Sequence, residues 1–418
     1  MEPHELDAAL ADTRQRLLDM ALDLNDEQWL GPRLAIVNPI HWEVGHIAWF
    51  QEKWILRHAL GRQPLRADGD ALYDSSRVHH DTRWDLPLPS RSETLRYMTD
   101  VLSRSRELSR TLTDNDVHYF VMLSIFHEDM HAEALGYTRQ TLGYRAPRLS
   151  VDEVVPRERG PLAGDVEVPG GRYLLGAIEG RDRFVFDNEK WAHEVDIAPF
   201  AIARAPVTNA ELLAFVEDSG YGRDELWTTP DRPTQPLYWQ RPTRENGVWQ
   251  RRRYDKLEPI PLHHPAIHVS FHEAEAYCRW ANRRLPSEAE WEVAASGYEK
   301  RRFPWGDTAP TAEHANLEGR ARDAVDVAAH PAGDSPFGCR QMIGNVWEWT
   351  STRFAPYPAF TIDPYAEYSA PWFHTPHMVL RGGAWLTRGR LLRNTWRNFY
   401  PPHRRDVLAG FRTCATGR

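Results

Sequence analysis

Residues 127–133 read HEDMHAE and residues 42–52 read WEVGHIAWFQE, and these two stretches decide the interpretation of the N-terminal part of the chain. His127 and His131 are four residues apart, so on a helix both imidazoles lie on one face and can reach one ion. A third ligand must come from another element, and His46 on a facing helix is the candidate. The pattern predicts a three-histidine metal centre, and it leaves iron and zinc both open.

Apolar residues recur at three- and four-residue intervals over residues 5–142, which predicts helix through most of this region. Four long helices are expected, and they make a four-helix bundle the natural architecture of residues 1–145. The expected helices lie near residues 6–21, 42–60, 94–112 and 114–142. The long connection at 61–91 is where a functional loop is expected.

After residue 145 glycine and proline become frequent, and we interpret residues 146–165 as a linker. Residues 166–418 combine short strands with few helices and much irregular chain, so the fold class is a helical bundle followed by an α+β domain. The expected strands include 172–175 and 200–203, and the two clear helices are near 209–218 and 272–283.

Composition excludes several classes of protein. The formal net charge is -8 and no block of Lys and Arg stands out, so nucleic acid is not an expected partner. Three widely spaced cysteines, Cys278, Cys339 and Cys414, predict neither a disulfide framework nor an oxidising compartment. No apolar run approaches the length of a membrane span, so we expect a soluble cytoplasmic protein, with monomer and dimer both open.

Two other functions fit parts of the sequence. HEDMH matches the H-E-x-x-H pattern of zinc proteases, in which Glu128 would act as the base. The longer zinc signature requires Gly and His where Ala134 and Tyr137 stand, although a later acid such as Glu153 would complete a zinc hydrolase site. A non-catalytic sugar- or peptide-binding module would explain the 17 tryptophans but not the three histidines.

The two opening stretches resemble the halves of the iron site in the DinB-like bundle of ergothioneine sulfoxide synthases (EgtB). The second part of the chain resembles the formylglycine-generating-enzyme (sulfatase-modifying factor) domain, of C-type-lectin-like fold, that follows the bundle in this family. Six stretches carry this second resemblance in the expected order: APVTN at 205–209, ANRRLPSEAEWE at 281–292, FPWGD at 303–307, GNVWEWT at 344–350, RGG at 381–383 and GFR at 410–412.

The resemblance implies an Fe(II) centre on His46, His127 and His131, with open positions for hercynine, a thiol and O2. We therefore expect an O2-dependent non-haem iron oxidoreductase that joins a chalcogen atom to the imidazole of hercynine, with its active site at the junction of the two domains. Formylglycine-generating enzymes carry copper-binding cysteines shortly after the RGG motif, whereas residues 384–392 contain none.

Substrate contacts are also carried over from the resemblance. The family has an Arg-Asn-Trp-Asp-like segment whose Asn contacts hercynine and whose Asp contacts the γ-glutamylcysteine thiol substrate. Here the segment reads Arg397-Asn398-Phe399-Tyr400, and we expect all four residues to bind substrate: Asn398 keeps the hercynine role while Tyr400 replaces the acid. An amino group on the chalcogen donor would therefore find no carboxylate at this position to pair with.

The loop between the helices departs from the family as well. In place of an Arg-rich stretch that binds peptide carboxylates, this chain keeps Arg83, followed by Trp84. The loss of the acid at Tyr400 and of the loop arginines favours a selenosugar donor, as in the selenoneine synthase (SenA) branch, with stacking on Trp84, Phe399 and Tyr400. Met130 stands where the family often has Gln beside the second iron histidine, which predicts a changed contact to the imidazole substrate. The alternative donor is γ-glutamylcysteine or cysteine.

The family also uses a tyrosine as proton donor during oxygen activation. The segment 357–368 holds three candidates, Tyr357, Tyr365 and Tyr368, and one sequence does not select among them.

Overall fold

The computed structural model describes residues 1, 3–110, 115–155, 157–243 and 247–417. The chain divides into two compact units, the first covering residues 1–150 and the second beginning at Val151. Each unit has its own buried apolar residues. Within the described ranges, no helix has the length and apolar character that crossing a membrane requires.

The first unit is a helical bundle, as predicted. Its helices are α1 (Leu6–Ala21), α2 (Asp26–Leu30), α3 (Ile40–Gln51), α4 (Gly69–Tyr73), α5 (Arg91–Ser109) and α6 (Asn115–Leu142). Helices α1 and α3 each pack against both α5 and α6. The apolar side chains buried between them include Leu10, Leu17, Val44, Ile47, Val121 and Leu135.

The helix bounds agree closely with the apolar periodicity. The second predicted helix, 42–60, corresponds to α3 together with its continuation Glu52–Ala59. This continuation is π-helical, a form that apolar spacing does not distinguish from an α-helix. Ser90 and Glu93 form a capping box that fixes the start of α5. The predicted helix ends at residues 112 and 114 lie outside the described residues.

A close approach between the 61–90 connection and α3 shapes the site region. Tyr73 ends α4, and its ring packs against the backbone of α3 at Gly45. A Cβ added at Gly45 would lie 2.3 Å from the Tyr73 ring, far inside van der Waals contact. Only glycine therefore allows the connection to reach α3 next to His46.

The second unit is α+β with much irregular chain. Its described α-helices are α7 (Asn209–Glu217), α8 (Phe271–Trp280) and α9 (Glu288–Ser296). The prediction of only two helices here was wrong, because α9 is short and buried on most sides, so its apolar residues show no clear period. Its start signal was visible, since Ser287 and Glu290 form the same capping box that begins α7 and α8.

Short strands build four sheets among the described residues of this unit. They are β1 (Asp165–Val168), β2 (Gly171–Leu175), β3 (His193–Ile197), β4 (Phe200–Ala203), β5 (Trp239–Gln240), β6 (Gln250–Arg253), β7 (Lys256–Pro259), β8 (Arg283–Arg284), β9 (Trp347–Arg353), β10 (Met378–Arg381), β11 (Asn398–Tyr400), β12 (Ala409–Gly410) and β13 (Cys414–Ala415). The sheet orders are β1-β4-β13-β8, β11-β10-β9-β12, β2-β3 and β5-β6-β7. Pairing is antiparallel except between β9 and β12.

The family-like stretches build the interior of this unit. Glu288 of α9 accepts hydrogen bonds from Arg381 at 3.0 Å and from Arg397 at 2.7 Å. Glu292, one turn later, pairs with Arg381 and Lys300. Buried charges persist only when they are paired in this way. The acids of the 281–292 stretch therefore hold the fold together.

Candidate metal centre

Two facing helices bring the three predicted ligands together. His46 lies in the middle of α3, and His127 and His131 lie one turn apart on α6. The Nε2 atom of His127 is 3.3 Å from Nε2 of His46 and 3.2 Å from Nε2 of His131. One ligand atom from each residue lies within 4.8 Å of the others.

These separations fit a single bound ion. Imidazole nitrogens bind first-row metals at about 2.0–2.1 Å, so two nitrogens on neighbouring coordination positions lie about 3.0–3.4 Å apart. The spacing around His127 Nε2 falls in that range. Three histidines leave further coordination positions for other ligands, which a catalytic metal requires.

The other ring nitrogens of two ligands are fixed by hydrogen bonds. Nδ1 of His46 lies 2.8 Å from the carbonyl oxygen of Tyr73, and Nδ1 of His131 lies 2.7 Å from a carboxylate oxygen of Glu43. A carbonyl and a carboxylate can only accept, so each Nδ1 donates and the Nε2 lone pair is left for a metal. Glu43 is buried on α3, three residues before His46.

Burial keeps the inner histidines neutral. Removal from water, and after it the proximity of the His131 imidazole, lowers the pKa of His46 and of His127 well below the usual range. Both rings therefore offer lone pairs at neutral pH. The side chain of His131 keeps 22% of its surface exposed, whereas the other two are buried, so solvent reaches the centre beside His131.

Aromatic rings set the planes of two imidazoles. The Trp42 ring stacks on His46 with centroids 4.9 Å apart and planes at 11°. Phe50 stacks on His127 at 3.6 Å and 5°. The sequence placed these aromatics near the ligands but gave no role to them or to Glu43 and Tyr73. The contact of Tyr73 crosses 27 residues and uses a backbone atom, so no local pattern could have revealed it.

The acid of the H-E-x-x-H pattern, Glu128, is engaged in an ion pair away from the three histidines. Glu128 forms a buried ion pair with Arg14, whose Nε lies 2.6 Å from a carboxylate oxygen. Arg14 also donates to Gln51 at 2.8 Å, which fixes the guanidinium in the bundle interior. Glu153 belongs to the second unit and lies 3.5 Å from Arg322. The geometry thus gives no support to a zinc hydrolase with Glu128 as its base.

The remaining residues predicted in the first unit have defined surroundings. Met130 is half-buried on α6 beside His131. Trp84 is half-buried and donates from Nε1 to the carbonyl oxygen of Gly31 at 3.2 Å. The Arg83 guanidinium donates to Asn38 at 2.6 Å and lies 3.8 Å above the Trp42 ring.

The predicted hercynine segment lies on the edge strand β11 of the second unit. Successive strand residues point to opposite faces, so Asn398 and Tyr400 share a face and Phe399 points away from them. Phe399 stacks on Phe354 at 3.9 Å and 12°. Arg397 is fully buried, with its guanidinium on Glu288, which makes it a structural cation in this unit. A substrate role for Arg397 stays a prediction without support from its surroundings.

The three candidate tyrosines differ in burial. Tyr357 is buried, and burial raises the pKa of its phenol well above the usual range. Tyr368 is half-buried, stacks on Phe186 at 4.3 Å, and has its pKa raised by burial as well. Tyr365 is half-buried in the same segment. Their surroundings do not select a proton donor, so that assignment stays a prediction.

Comparisons with known proteins cover both units. The family profile of the sulfatase-modifying factor enzyme 1-like domain (FGE-sulfatase) matches residues 150–416, and that of the DinB superfamily matches residues 9–135. Among solved structures, PvdO from Pseudomonas aeruginosa is 23% identical with a TM-score of 0.45, covering 62% of this chain and 99% of its own.

Similar curated proteins span nearly the whole chain. A hercynine oxygenase of Mycolicibacterium smegmatis is 37% identical over 96% of this chain and 96% of its own length. A hercynine oxygenase of Mycobacterium tuberculosis is 36% identical over 98% of each chain. A formylglycine-generating enzyme of Streptomyces coelicolor is 33% identical over 55% of this chain and 82% of its own length. The chain therefore belongs to the EgtB-like hercynine oxygenase family, O2-dependent oxidoreductases in which a DinB-like bundle precedes a sulfatase-modifying factor domain of C-type-lectin-like fold.

Proposed function

We propose that this protein uses O2 to join a chalcogen atom to the imidazole of hercynine, at an Fe(II) ion bound by His46, His127 and His131. The observation that carries the proposal is the convergence of three imidazole Nε2 atoms from two helices. The full-length similarity to hercynine oxygenases supports both the substrate and the choice of iron over zinc.

The overall reaction balances with a single O2. One C–H bond of the imidazole and the S–H or Se–H bond of the donor are lost, and one C–S or C–Se bond forms. One oxygen atom ends on the chalcogen as sulfoxide or selenoxide, and the other leaves as water with the two hydrogens. A bound ion would supply neighbouring coordination positions and would pass the four electrons from hercynine and the donor to O2.

The protein residues orient the centre. Glu43 holds the proton of His131 on Nδ1, and the Tyr73 carbonyl does the same for His46, so both rings present Nε2. The ring of Phe50 limits rotation of His127. The exposed side at His131 is where we propose that substrates enter. Asn398 remains the proposed hercynine contact, and one of the three tyrosines the proposed proton donor.

For the chalcogen donor we propose a selenosugar, with γ-glutamylcysteine or cysteine as the alternative. Tyr400 stands where the family has an acid, and Arg404, 5.3 Å from the centroid of its ring, is paired with Asp406 at 2.7 Å. A phenol offers no anion to an ammonium group on the donor, so the replacement favours a donor without such a group. The Arg83 guanidinium is already bonded to Asn38, so a donor carboxylate would have to compete for it.

The metal site is tested by replacing His131 with Ala. We expect this variant to lose Fe(II) binding, because two imidazoles on different helices remain and the Nε2 beside solvent is gone. The matched control is His41→Ala, which removes a half-buried histidine of α3 that contacts Thr94. Iron content and Fe(II) titration are the measurements. Full iron content in His131→Ala would overturn the assignment.

The donor is tested with the Fe(II) protein, hercynine and O2, offering a selenosugar, γ-glutamylcysteine and cysteine in separate reactions. Mass spectrometry of the products identifies the chalcogen and the added oxygen. We expect the selenosugar to give the highest kcat/KM. A preference for γ-glutamylcysteine would remove the selenium proposal and keep the iron centre, whereas zinc-dependent peptide cleavage would overturn both.

A further inference from the structure

Three flat groups form a stack that ends on a proposed metal ligand. The Arg83 guanidinium carbon lies 3.8 Å from the centroid of the Trp42 ring. The other partner of Trp42 is His46, whose ring is nearly parallel at 11° and 4.9 Å away. Trp42 is 1% exposed, and its Nε1 donates to the carbonyl oxygen of Leu72 at 2.8 Å. The indole is therefore fixed at its edge as well as at its face.

Both terminal nitrogens of Arg83 donate to the protein, whereas its Nε is buried without a hydrogen-bond partner. Nη1 donates to the side-chain oxygen of Asn38 at 2.6 Å, and Nη2 donates to the carbonyl oxygen of Val78 at 3.3 Å. Among the described residues, Glu43 is the anion whose charge acts on Arg83. Planar donors in a rigid fork fix a guanidinium over a ring in a way that a flexible ammonium does not.

The orientation of a ligand ring controls where its lone pair points. His46 is tied at Nδ1 to the Tyr73 carbonyl, which fixes the direction of the ring but leaves it free to rock about that bond. A stacked indole opposes the rocking, and Arg83 in turn opposes movement of the indole. Contacts of this outer kind commonly change metal affinity by about 10–100-fold.

We propose that Arg83 is a positioning residue of the metal centre, which acts through Trp42 on the plane of His46 and does not contact the chalcogen donor. This inference rests on the proposed role of the three histidines. It replaces the sequence-based interpretation of Arg83 as a remnant of a carboxylate-binding stretch.

The same unit contains a matched control. Arg91 lies 4.2 Å above the ring of Trp29, and Trp29 contacts His41. That contact is edge-on, at 5.6 Å and 61°, and His41 is not among the converging ligands. Arg91→Lys thus removes an Arg–Trp stack of similar geometry that has no metal beyond it.

The test measures metal binding before any organic substrate is added. Fe(II) affinity is determined by chelator competition, and Co(II) is used as a probe whose visible spectrum reports ligand geometry. We expect Arg83→Lys to weaken Fe(II) and Co(II) binding about 10-fold and to change the Co(II) spectrum. Arg91→Lys should leave both unchanged, and the KM for the chalcogen donor in Arg83→Lys, measured with metal saturating, should match the wild type.

The opposite pattern would overturn the inference. An Arg83→Lys protein with wild-type metal affinity and spectrum but a raised donor KM would make Arg83 a substrate contact. If Arg83→Lys does not fold, Trp42→Phe keeps an aromatic face, loses the bond to Leu72, and is expected to weaken metal binding in the same way; wild-type affinity there would also overturn it. A wild-type protein that binds neither ion would instead refute the proposed function.

Discussion

The two units bury polar side chains for different reasons. In the first, three imidazoles point their Nε2 atoms at one another at 3.2 and 3.3 Å. In the second, buried cations and anions are matched in pairs that involve Arg381 with Glu288 and Glu292, Arg393 with Glu189, Arg397 with Glu288, and Arg412 with Glu348. Groups that satisfy one another hold a fold together, whereas lone pairs that face one another need an ion.

The contrast also separates neighbours within one helix. His127 faces the converging nitrogens, while Glu128, the next residue, turns to Arg14 in a buried pair of the second kind. A motif match counts both residues as catalytic, although the geometry assigns them different tasks. Whether a buried polar group is matched by its surroundings is therefore a better guide to function than its place in a motif.

The largest effect on folding is expected from breaking a matched pair. Arg381→Met removes a fully buried cation that hydrogen-bonds Glu288 at 3.0 Å and pairs with Glu292. Of their cationic partners the acids then keep Arg397 and Lys300, so we expect the free energy of unfolding to fall by about 3–5 kcal/mol. Urea unfolding followed by far-UV circular dichroism measures this loss.

An exposed pair supplies the control for Arg381. Arg172 lies 3.4 Å from Glu194, and their side chains are 67% and 63% exposed. Solvent screens such a pair, so Arg172→Met should change the free energy of unfolding by less than about 0.5 kcal/mol. Equal losses in the two variants would mean that burial does not distinguish these pairs.

Local spacing explains how much of the site the sequence predicts. His127 and His131 follow from an i,i+4 pattern, and His46 follows from the expectation that a bundle has facing helices. The helix bounds follow from apolar period, so the bundle was predicted nearly in full. The start of α9 carries a capping box at Ser287 and Glu290, a signal that outweighs its weak apolar period.

Long-range contacts explain what the sequence did not predict. Glu43 reaches His131 across 88 residues, and the Tyr73 carbonyl reaches His46 only because Gly45 admits the Tyr73 ring. Arg397 had a family role in ligand binding by position alone, yet its buried partner Glu288 lies 109 residues earlier. Such contacts form only once the chain has folded, and they leave no periodic pattern in the sequence from which they could be predicted.

A half-buried histidine of the second unit, His268, is expected to make the stability of the protein depend on pH. Burial lowers the pKa of His268 to about 4, and its Nδ1 lies 3.1 Å from the carbonyl oxygen of Asp406. No metal ligand set forms around it in the described residues. In the unfolded chain this histidine has a pKa of about 6.5, whereas in the folded chain its pKa is lower. Between the two values the unfolded chain therefore binds more protons than the folded chain. The stability from a neutral His268 is present above about pH 6.5 and is lost as pH falls towards 4.

His268→Asn should therefore flatten part of the pH dependence of unfolding. Asn tolerates the left-handed backbone at this position, where φ is 61°. Because solvent reaches part of the ring, we expect the acid-induced loss between about pH 6.5 and 4 to shrink by only about 1–2 kcal/mol. Urea unfolding at several pH values measures it, and parallel curves for variant and wild type would contradict the assigned pKa.

A small change in stability, of opposite sign, is expected at the metal centre. His127→Leu replaces a buried imidazole that stacks on Phe50 with an apolar side chain of similar volume. Without metal, the free energy of unfolding should rise by about 0.5–1 kcal/mol, because burying a polar ring has a cost that leucine lacks. Fe(II) binding should be lost at the same time. A gain in stability with a loss of metal binding is expected where a buried polar side chain is kept for function at a cost in stability.

His127→Gln separates the two effects. Glutamine keeps a buried polar group but no imidazole lone pair at the ligand position, so metal binding should be lost without a gain in stability. Urea unfolding of the metal-free proteins and Fe(II) titration give both quantities for each variant. If the leucine variant were instead less stable than the wild type by more than about 2 kcal/mol, His127 would belong with the matched groups of the second unit, and its convergence with His46 and His131 would be a packing arrangement.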